Sequence, residues 1–265
     1  GESLTLVYDV VAKDGTGDSN TQQVTIVING TNDAPVITVE SGDSAALAID
    51  EANAGLTGNG TLSVADLDVS DIVSASVDSV SIGGTGTGSL PVALDNAALQ
   101  AMLSVGTNPV IDGANTSGSI AWSFDSGSEA FDFLAAGETL VLEYTIAATD
   151  NSGTGTNSDT QTVTVTITGT NDLPVISAET GDSTGDTLTE TNAPQITSGT
   201  LSVEDVDVTD TVTVSATLAS TSGNAGSLDN LALGNMFSVD TDDVINGTST
   251  TGTINSGFDS GTETF

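Results

Sequence analysis

Whole blocks of this chain occur twice in the same order, and that repetition limits what it can fold into more than any other feature. Gly1–Tyr8 (GESLTLVY) returns as Gly137–Tyr144 (GETLVLEY), and Gly30–Ile37 (GTNDAPVI) returns as Gly169–Ile176 (GTNDLPVI), at offsets of 136 and 139. Gly60–Asp71 (GTLSVADLDVSD) matches Gly199–Asp210 (GTLSVEDVDVTD), and Phe124–Phe131 (FDSGSEAF) matches Phe258–Phe265 (FDSGTETF). Only Asp132–Ala136 have no second copy, so the 265 residues are nearly two periods of a tandem array that starts and stops inside a unit. Natural boundaries are expected at the Asn-Asp-x-Pro segments, because proline ends a ladder and holds the residue before it extended. On that reading residues 1–33 end one repeat, 34–172 form a complete one, and 173–265 begin the next.

Periodicity gives the fold class. Leu4–Val11, Val24–Ile28 and Thr162–Ile167 alternate at period two, which predicts strands with threonine on the wet face and aliphatic side chains inward. The strands over Leu140–Ala148 and Thr160–Ile167 are separated by a loop rich in Asp, Asn and Gly, as at a hairpin end. Asp95–Leu103 carries an N-cap residue before strong helix formers, and Leu228–Phe237 is its weaker counterpart, so each complete unit is expected to hold one short helical insert. Aromatic residues make up only 3% of the chain, so the core must be built from small β-branched side chains, with Trp122, Phe124, Phe131 and Phe133 as its large members. Seven to nine strands per unit imply an all-β fold of tandem immunoglobulin-like or cadherin-like β-sandwiches.

The charge removes several classes of function. Thirty-seven acidic residues face a single Lys13, with no Arg, His or Cys, for a formal charge of −36. Such a chain cannot neutralise phosphates or attach to anionic lipid, so nucleic acid and direct membrane insertion are not expected partners. Without His or Cys, only carboxylates can serve as proton-transfer groups near neutral pH, and the usual nucleophile–base pairs are missing. A carboxylate-pair glycosidase is disfavoured because the acids recur in each repeat at turns and junctions, and Trp122 is the lone tryptophan. No Gly-Lys-Ser/Thr phosphate loop and no EF-hand pattern occurs, and Gly83–Gly88 reads as a flexible loop.

The runs Thr162–Ile176 (TVTVTITGTNDLPVI), Gly199–Asp210 and Phe131–Gly153 together resemble the VCBS-type repeat, a cadherin-like extender of very large bacterial adhesins of the RTX type. The resemblance covers essentially the whole chain, and GTNDxPVI is its most specific mark. The insert around Leu90–Asn108 departs from a minimal repeat. The resemblance implies a secreted or cell-surface protein acting in adhesion or biofilm structure, with calcium rigidifying the array and neighbouring repeats as its partners.

Calcium takes six to eight oxygen ligands and favours two or more carboxylates supplemented by carbonyls and water. In extended chain, residues i and i+2 share a side, so Asp66 with Asp68, and Asp205 with Asp207, can present paired carboxylates, with Asp71 and Asp210 closing each site a turn later. Asn32-Asp33 and Asn171-Asp172 lie at the junctions, where cadherin-like chains supply ligands between domains. Glu51 and Glu190 precede their aspartate clusters at equivalent places and can add a carboxylate, while Asp14 and Asp150 sit at hairpin tips. Ordinary Asp-x-Asp turns, or the solvated acidic surface of a halophile, account for the same residues without Ca²⁺. The sequence therefore supports a non-enzymatic, calcium-stiffened spacer of an extracellular adhesin. The alternative is a self-assembling filament whose half-repeats complement each other between copies.

Overall fold

The computed structural model describes residues 2–153, 155 and 157–263. It is all-β apart from short helical turns, and it follows the repeat. An N-terminal ribbon pairs β1 (Ser3–Val10) with β2 (Gln22–Asn29), antiparallel. The strands β3 (Val36–Thr38), β4 (Ala46–Asp50), β5 (Thr57–Ala65), β6 (Ile72–Gly83), β7 (Leu103–Val105), β8 (Ile111–Asp112), β9 (Ser117–Asp125), β10 (Thr139–Thr149) and β11 (Ser158–Thr168) build a central sandwich. A third unit contains β12 (Val175–Ser177), β13 (Ile196–Glu204), β14 (Thr211–Val212), β15 (Phe237–Val239), β16 (Ile245–Asn246) and β17 (Thr251–Asp259).

Two sheets face each other in the central sandwich, ordered β4-β11-β10-β6-β8 and β3-β5-β9-β7. Alternation dictates which side chains meet between them. Along β10, Leu140, Leu142, Tyr144 and Ile146 are completely buried, and along β11 so are Val163, Val165 and Ile167. From the other sheet come Leu62, Ile120, Trp122 and Phe124. Each such side chain contributes about 1.5–3 kcal/mol by leaving water. Trp122 fits because Gly60 faces it: a Cβ at Gly60 would lie 2.4 Å from the indole. One pairing departs from an antiparallel pattern, since β4 runs parallel to β11, Leu47 beside Val165.

The helical insert forms where the capping residues require it. Helix α1 (Asn96–Ala101) begins at Asp95, whose side chain accepts from the Ala98 N–H, and α2 (Asn230–Gly234) repeats this with Asp229 and Ala232. Leu99 of α1 is fully buried, and its carbonyl accepts a 2.8 Å hydrogen bond from the Tyr144 hydroxyl, so the insert is pinned to β10.

The ribbon differs from the central hairpin that it repeats. Its aliphatic face is expected to point into a core, and within the described residues Leu4, Tyr8, Val10, Val24, Ile26 and Ile28 are exposed. Alternation gives a face, and burial needs a second sheet opposite it. None of the described residues supplies one to β1 and β2.

Candidate metal centres

The aspartate motif folds as a turn, not as extended chain. After β5 the chain bends at Asp66, whose Oδ1 accepts from the Asp68 N–H at 2.9 Å, and the Asp71 N–H then donates to the Asp68 carbonyl at 3.0 Å. The expected i, i+2 presentation of Asp66 with Asp68 is therefore corrected: the Asx turn points the two carboxylates to different tasks. Asp68 turns its Oδ2 to the junction, accepting from the Asp33 N–H at 2.8 Å. Asp66 keeps its Oδ2 inside, buried and without a hydrogen-bond donor.

The same network recurs one repeat later. The Asp207 N–H donates to Asp205 at 3.2 Å, the Asp210 N–H to the Asp207 carbonyl at 3.1 Å, and the Asp172 N–H to Asp207 Oδ2 at 2.9 Å. Asn32 and Asn171 each donate from the side chain to the carbonyl of the next residue, Asp33 and Asp172. These bonds fix each Asn-Asp-x-Pro junction onto the unit that follows it.

Two groups of three carboxylates result, one at each end of the central sandwich. At one end Asp66, Asp71 and Asp150 bring a ligand oxygen each to within 4.8 Å of one another. Asp150 arrives from the tip of the β10–β11 hairpin, and Asn32 of the junction donates to its Oδ2 at 3.1 Å. At the other end Glu51, Asp132 and Asp172 form the second group. Glu51 follows β4, and its Oε2 accepts from the N–H and hydroxyl of Thr170, at 3.0 and 2.7 Å. Asp172 accepts from the Asn53 amide at 2.8 Å.

Within these groups Asp66 Oδ2, Asp71 Oδ2, Glu51 Oε1, Asp132 Oδ1 and Asp172 Oδ2 are buried and accept no hydrogen bond, and Asp207 Oδ1 shares that state. A buried carboxylate oxygen without a donor or cation is costly. Burial, with the charges of Asp150 and Asp68 nearby, raises the pKa of Asp66, and burial beside Asp150 and Asp66 does the same for Asp71. Burial and the Glu51 contact raise Asp132. Asp207 is pushed up to about 6 by burial and by the charges of Asp210, Asp205 and Asp172, against the donation from Asp172. At Asp150 burial acts upward, but hydrogen bonds from Ser152 and Asn32 prevail and hold its carboxyl below the ordinary value. Clustered, dehydrated oxygens of this kind are the donor set a hard divalent cation takes.

The sequence-predicted residues therefore divide. Asp66, Asp71 and Asp150 come together, as do Glu51 and Asp172. Asn32 and Asn171, with Asp33 and Asp68, act as junction hydrogen-bonding residues next to the groups. Asp205, Asp207 and Asp210 are close in chain but form no such group among the described residues, because the counterpart of Asp150 sits on a hairpin tip and no hairpin of that kind lies in 173–263. Glu190 is exposed and joins no group among the described residues. Asp14 lies open at the ribbon's turn, accepting from Thr16 and Gly17. Asp132 was missed. It falls in the five residues without a second copy, so the repeat could not mark it. The signal is backbone: Phe131 adopts φ 67°, rare for a non-glycine, which sends its ring into the core and leaves Asp132 beside Glu51 and Asp172.

No family model matches the chain, and no curated protein matches it. Among solved structures it is similar to a PapD-like domain of human CEP192, at 8% identity and a TM-score of 0.33 over 54% of this chain and 89% of that one. A CooA pilin subunit from enterotoxigenic Escherichia coli aligns at 13% identity and 0.25 over 51% and 97%. The cadherin-like domains 1 to 4 of zebrafish RET align at 10% identity and 0.24 over 96% of this chain and half of theirs.

Proposed function

We propose that this chain is a calcium-stiffened spacer: tandem sandwiches whose junctions lock when Ca²⁺ binds, holding an extracellular bacterial adhesin or surface fibre extended. The observation that carries the reading is the pair of three-carboxylate groups at the two ends of the central sandwich, with five buried oxygens that no donor satisfies. Both groups draw on a junction, through Asn32 at one end and Asp172 at the other. A bound cation would supply the positive charge that these oxygens lack. Glu51, Asp132 and Asp172 would hold it at the second junction, and Asp66, Asp71 and Asp150 at the first. Thr170 orients Glu51, and Asn53 orients Asp172. The role is structural rather than enzymatic, and the VCBS-type resemblance supports a secreted location and neighbouring repeats as partners.

Stiffening follows from where the ligands are attached. Without a cation the acids of a junction repel one another, and a chain of charge −36 has one lysine with which to relieve them. Neutralising them removes that repulsion and ties the linker residue Asp172 to Glu51 and Asp132 of the preceding sandwich. The decisive experiment combines small-angle scattering with thermal unfolding in EDTA, Ca²⁺, Mg²⁺ and high NaCl. A Ca²⁺-specific rise in Tm with a narrower distribution of shapes supports the spacer. An equal rise in NaCl would assign the acids to a halophile's solvated surface.

A further inference from the structure

Three asparagines of this chain are followed by glycine: Asn29-Gly30, Asn59-Gly60 and Asn246-Gly247. Such a pair can react with itself. The glycine amide nitrogen attacks Cγ of the asparagine side chain, and because glycine carries no Cβ, nothing on the attacking residue crowds the approach. Attack needs the nitrogen free of a hydrogen bond and the chain free to rotate until nitrogen and carbonyl carbon meet. The fold decides which of the three pairs satisfies both conditions.

Two pairs are held. At Asn29-Gly30 the Gly30 N–H donates to the Glu2 carbonyl at 2.8 Å, and Asn29 is paired opposite Ser3 at the end of the ribbon. The repeat equivalent Gly169 donates to the Glu138 carbonyl, also at 2.8 Å, so the bond is a property of the hairpin. Asn59-Gly60 lies inside β5, with Asn59 opposite Ser123, Gly60 opposite Trp122 and the indole packed on Gly60. Rotating that peptide would break the β5–β9 ladder over a buried core.

Asn246-Gly247 is open. Asn246 is the exposed last residue of the two-residue strand β16, paired with Thr211 of β14. Gly247 lies past the ladder in a turn at φ 77°, and its N–H meets no acceptor among the described residues. The Thr248 hydroxyl donates to Asn246 Oδ1 at 2.6 Å, which draws electrons from the carbonyl carbon under attack and steadies the oxyanion that forms there. The corresponding turn of the complete central sandwich is equally open, since Asp112 is exposed and Gly113 adopts φ 79°. Access is therefore a property of this turn.

We propose that Asn246 is a self-modification site, which deamidates through a cyclic imide closed by the Gly247 nitrogen and assisted by the Thr248 hydroxyl. The Gly247 nitrogen forms a bond to Asn246 Cγ, the Cγ–Nδ2 bond breaks, and Nδ2 leaves as ammonia with the proton that Gly247 gives up. Water then opens the imide. Opening at Cγ leaves aspartate at position 246, and opening at the backbone carbonyl leaves isoaspartate, with the chain routed through the side chain. The aspartate product is the residue the repeat already carries there: Asp112 pairs with Ile72 as Asn246 pairs with Thr211. That turn accommodates a carboxylate, since Asp112 Oδ1 accepts from the Ala114 N–H at 3.1 Å. Either product adds a negative charge near Asp210, whose neighbour Thr209 turns its carbonyl oxygen to within 2.9 Å of where a Cβ on Gly247 would lie. The reaction uses no metal and stands apart from the calcium reading.

The test holds the full chain folded at mildly alkaline pH and one fixed Ca²⁺ concentration, quenches samples over time in acid, and reads peptic peptides by mass spectrometry. Pepsin is used because Lys13 is the chain's single basic residue. Electron-transfer fragmentation separates isoaspartate from aspartate. Deamidation at Asn246 is expected to be at least about tenfold faster than at Asn29 and Asn59, and the preference should disappear when guanidinium unfolds the chain. Thr248→Val is expected to slow the reaction severalfold and Thr248→Ser to keep the wild-type rate. Position 248 is exposed, so both variants should keep the wild-type circular dichroism spectrum. Asn29 or Asn59 reacting as fast as Asn246 in the folded chain, a preference that survives unfolding, no reaction at Asn246, or a Thr248→Val rate equal to wild type would each overturn the proposal.

Discussion

The backbone N–H of Asp172 donates to Oδ2 of Asp207 across the second junction at 2.9 Å, while Oδ1 of the same Asp207 carboxylate is buried with no donor at all. One oxygen fastens the linker and the other is buried without a partner. The neighbouring aspartates Asp205, Asp210 and Asp172 make that second oxygen expensive when ionised. Asp207→Asn keeps an oxygen for the Asp172 N–H and removes the charge. We expect the variant to be more stable than wild type in EDTA, by about 1 kcal/mol or more. Chemical denaturation in EDTA measures the difference.

The pH dependence carries the same sign. Asp207 titrates near 6 in the folded state against an ordinary 3.8, so the native state holds its proton more tightly than the unfolded chain. Its contribution to stability is intact below about pH 4 and is lost as pH rises through 6. Asp66, Asp71 and Asp132 shift in the same direction. In EDTA, Tm is therefore expected to fall between pH 4.5 and 7. With Ca²⁺, which requires the ionised carboxylates, the slope should flatten or reverse. Calorimetry at several pH values reads the difference.

Asp132 and Glu190 make a paired comparison. Asp132→Asn, in the Glu51–Asp132–Asp172 group, is expected to weaken calcium binding at that junction at least about tenfold, roughly 1.4 kcal/mol. Glu190→Gln, exposed and outside any group, is expected to leave calcium titrations of this chain unchanged. Isothermal calorimetry on the two variants decides whether the group or the repeat position selects the ligand.

Core size separates the two units. Trp122 fills the space over Gly60 and donates to the Ser44 carbonyl at 2.9 Å, whereas Ser256 occupies its place in the third unit and bonds the Gly199 carbonyl. Trp122→Ser should destabilise the central sandwich by about 3–5 kcal/mol and leave the third unit as it is. Two-transition unfolding, or hydrogen exchange resolved by segment, would show the loss confined to residues 34–172.

The sequence by itself determined the repeat, the strand faces and the caps, because each depends on near neighbours in the chain. Period-two alternation marks Leu140, Leu142 and Tyr144 as one face, Asp95 caps α1 within four residues, and the duplicated aspartates mark both junctions. Only the tertiary structure decided which faces are buried. Tyr8 and Tyr144 occupy equivalent positions on equivalent hairpins, yet Tyr144 is fully buried and Tyr8 is half exposed, since among the described residues only Tyr144 has a sheet opposite it. The same holds for the acids. Asp150, Asp66 and Asp71 lie far apart in chain and converge because the β10–β11 hairpin returns its tip to the β5–β6 turn. Asp132 reaches Glu51 through the left-handed bend at Phe131, outside any repeated motif. Local pattern fixes a residue's direction, but burial and clustering depend on what the rest of the chain brings to the other side.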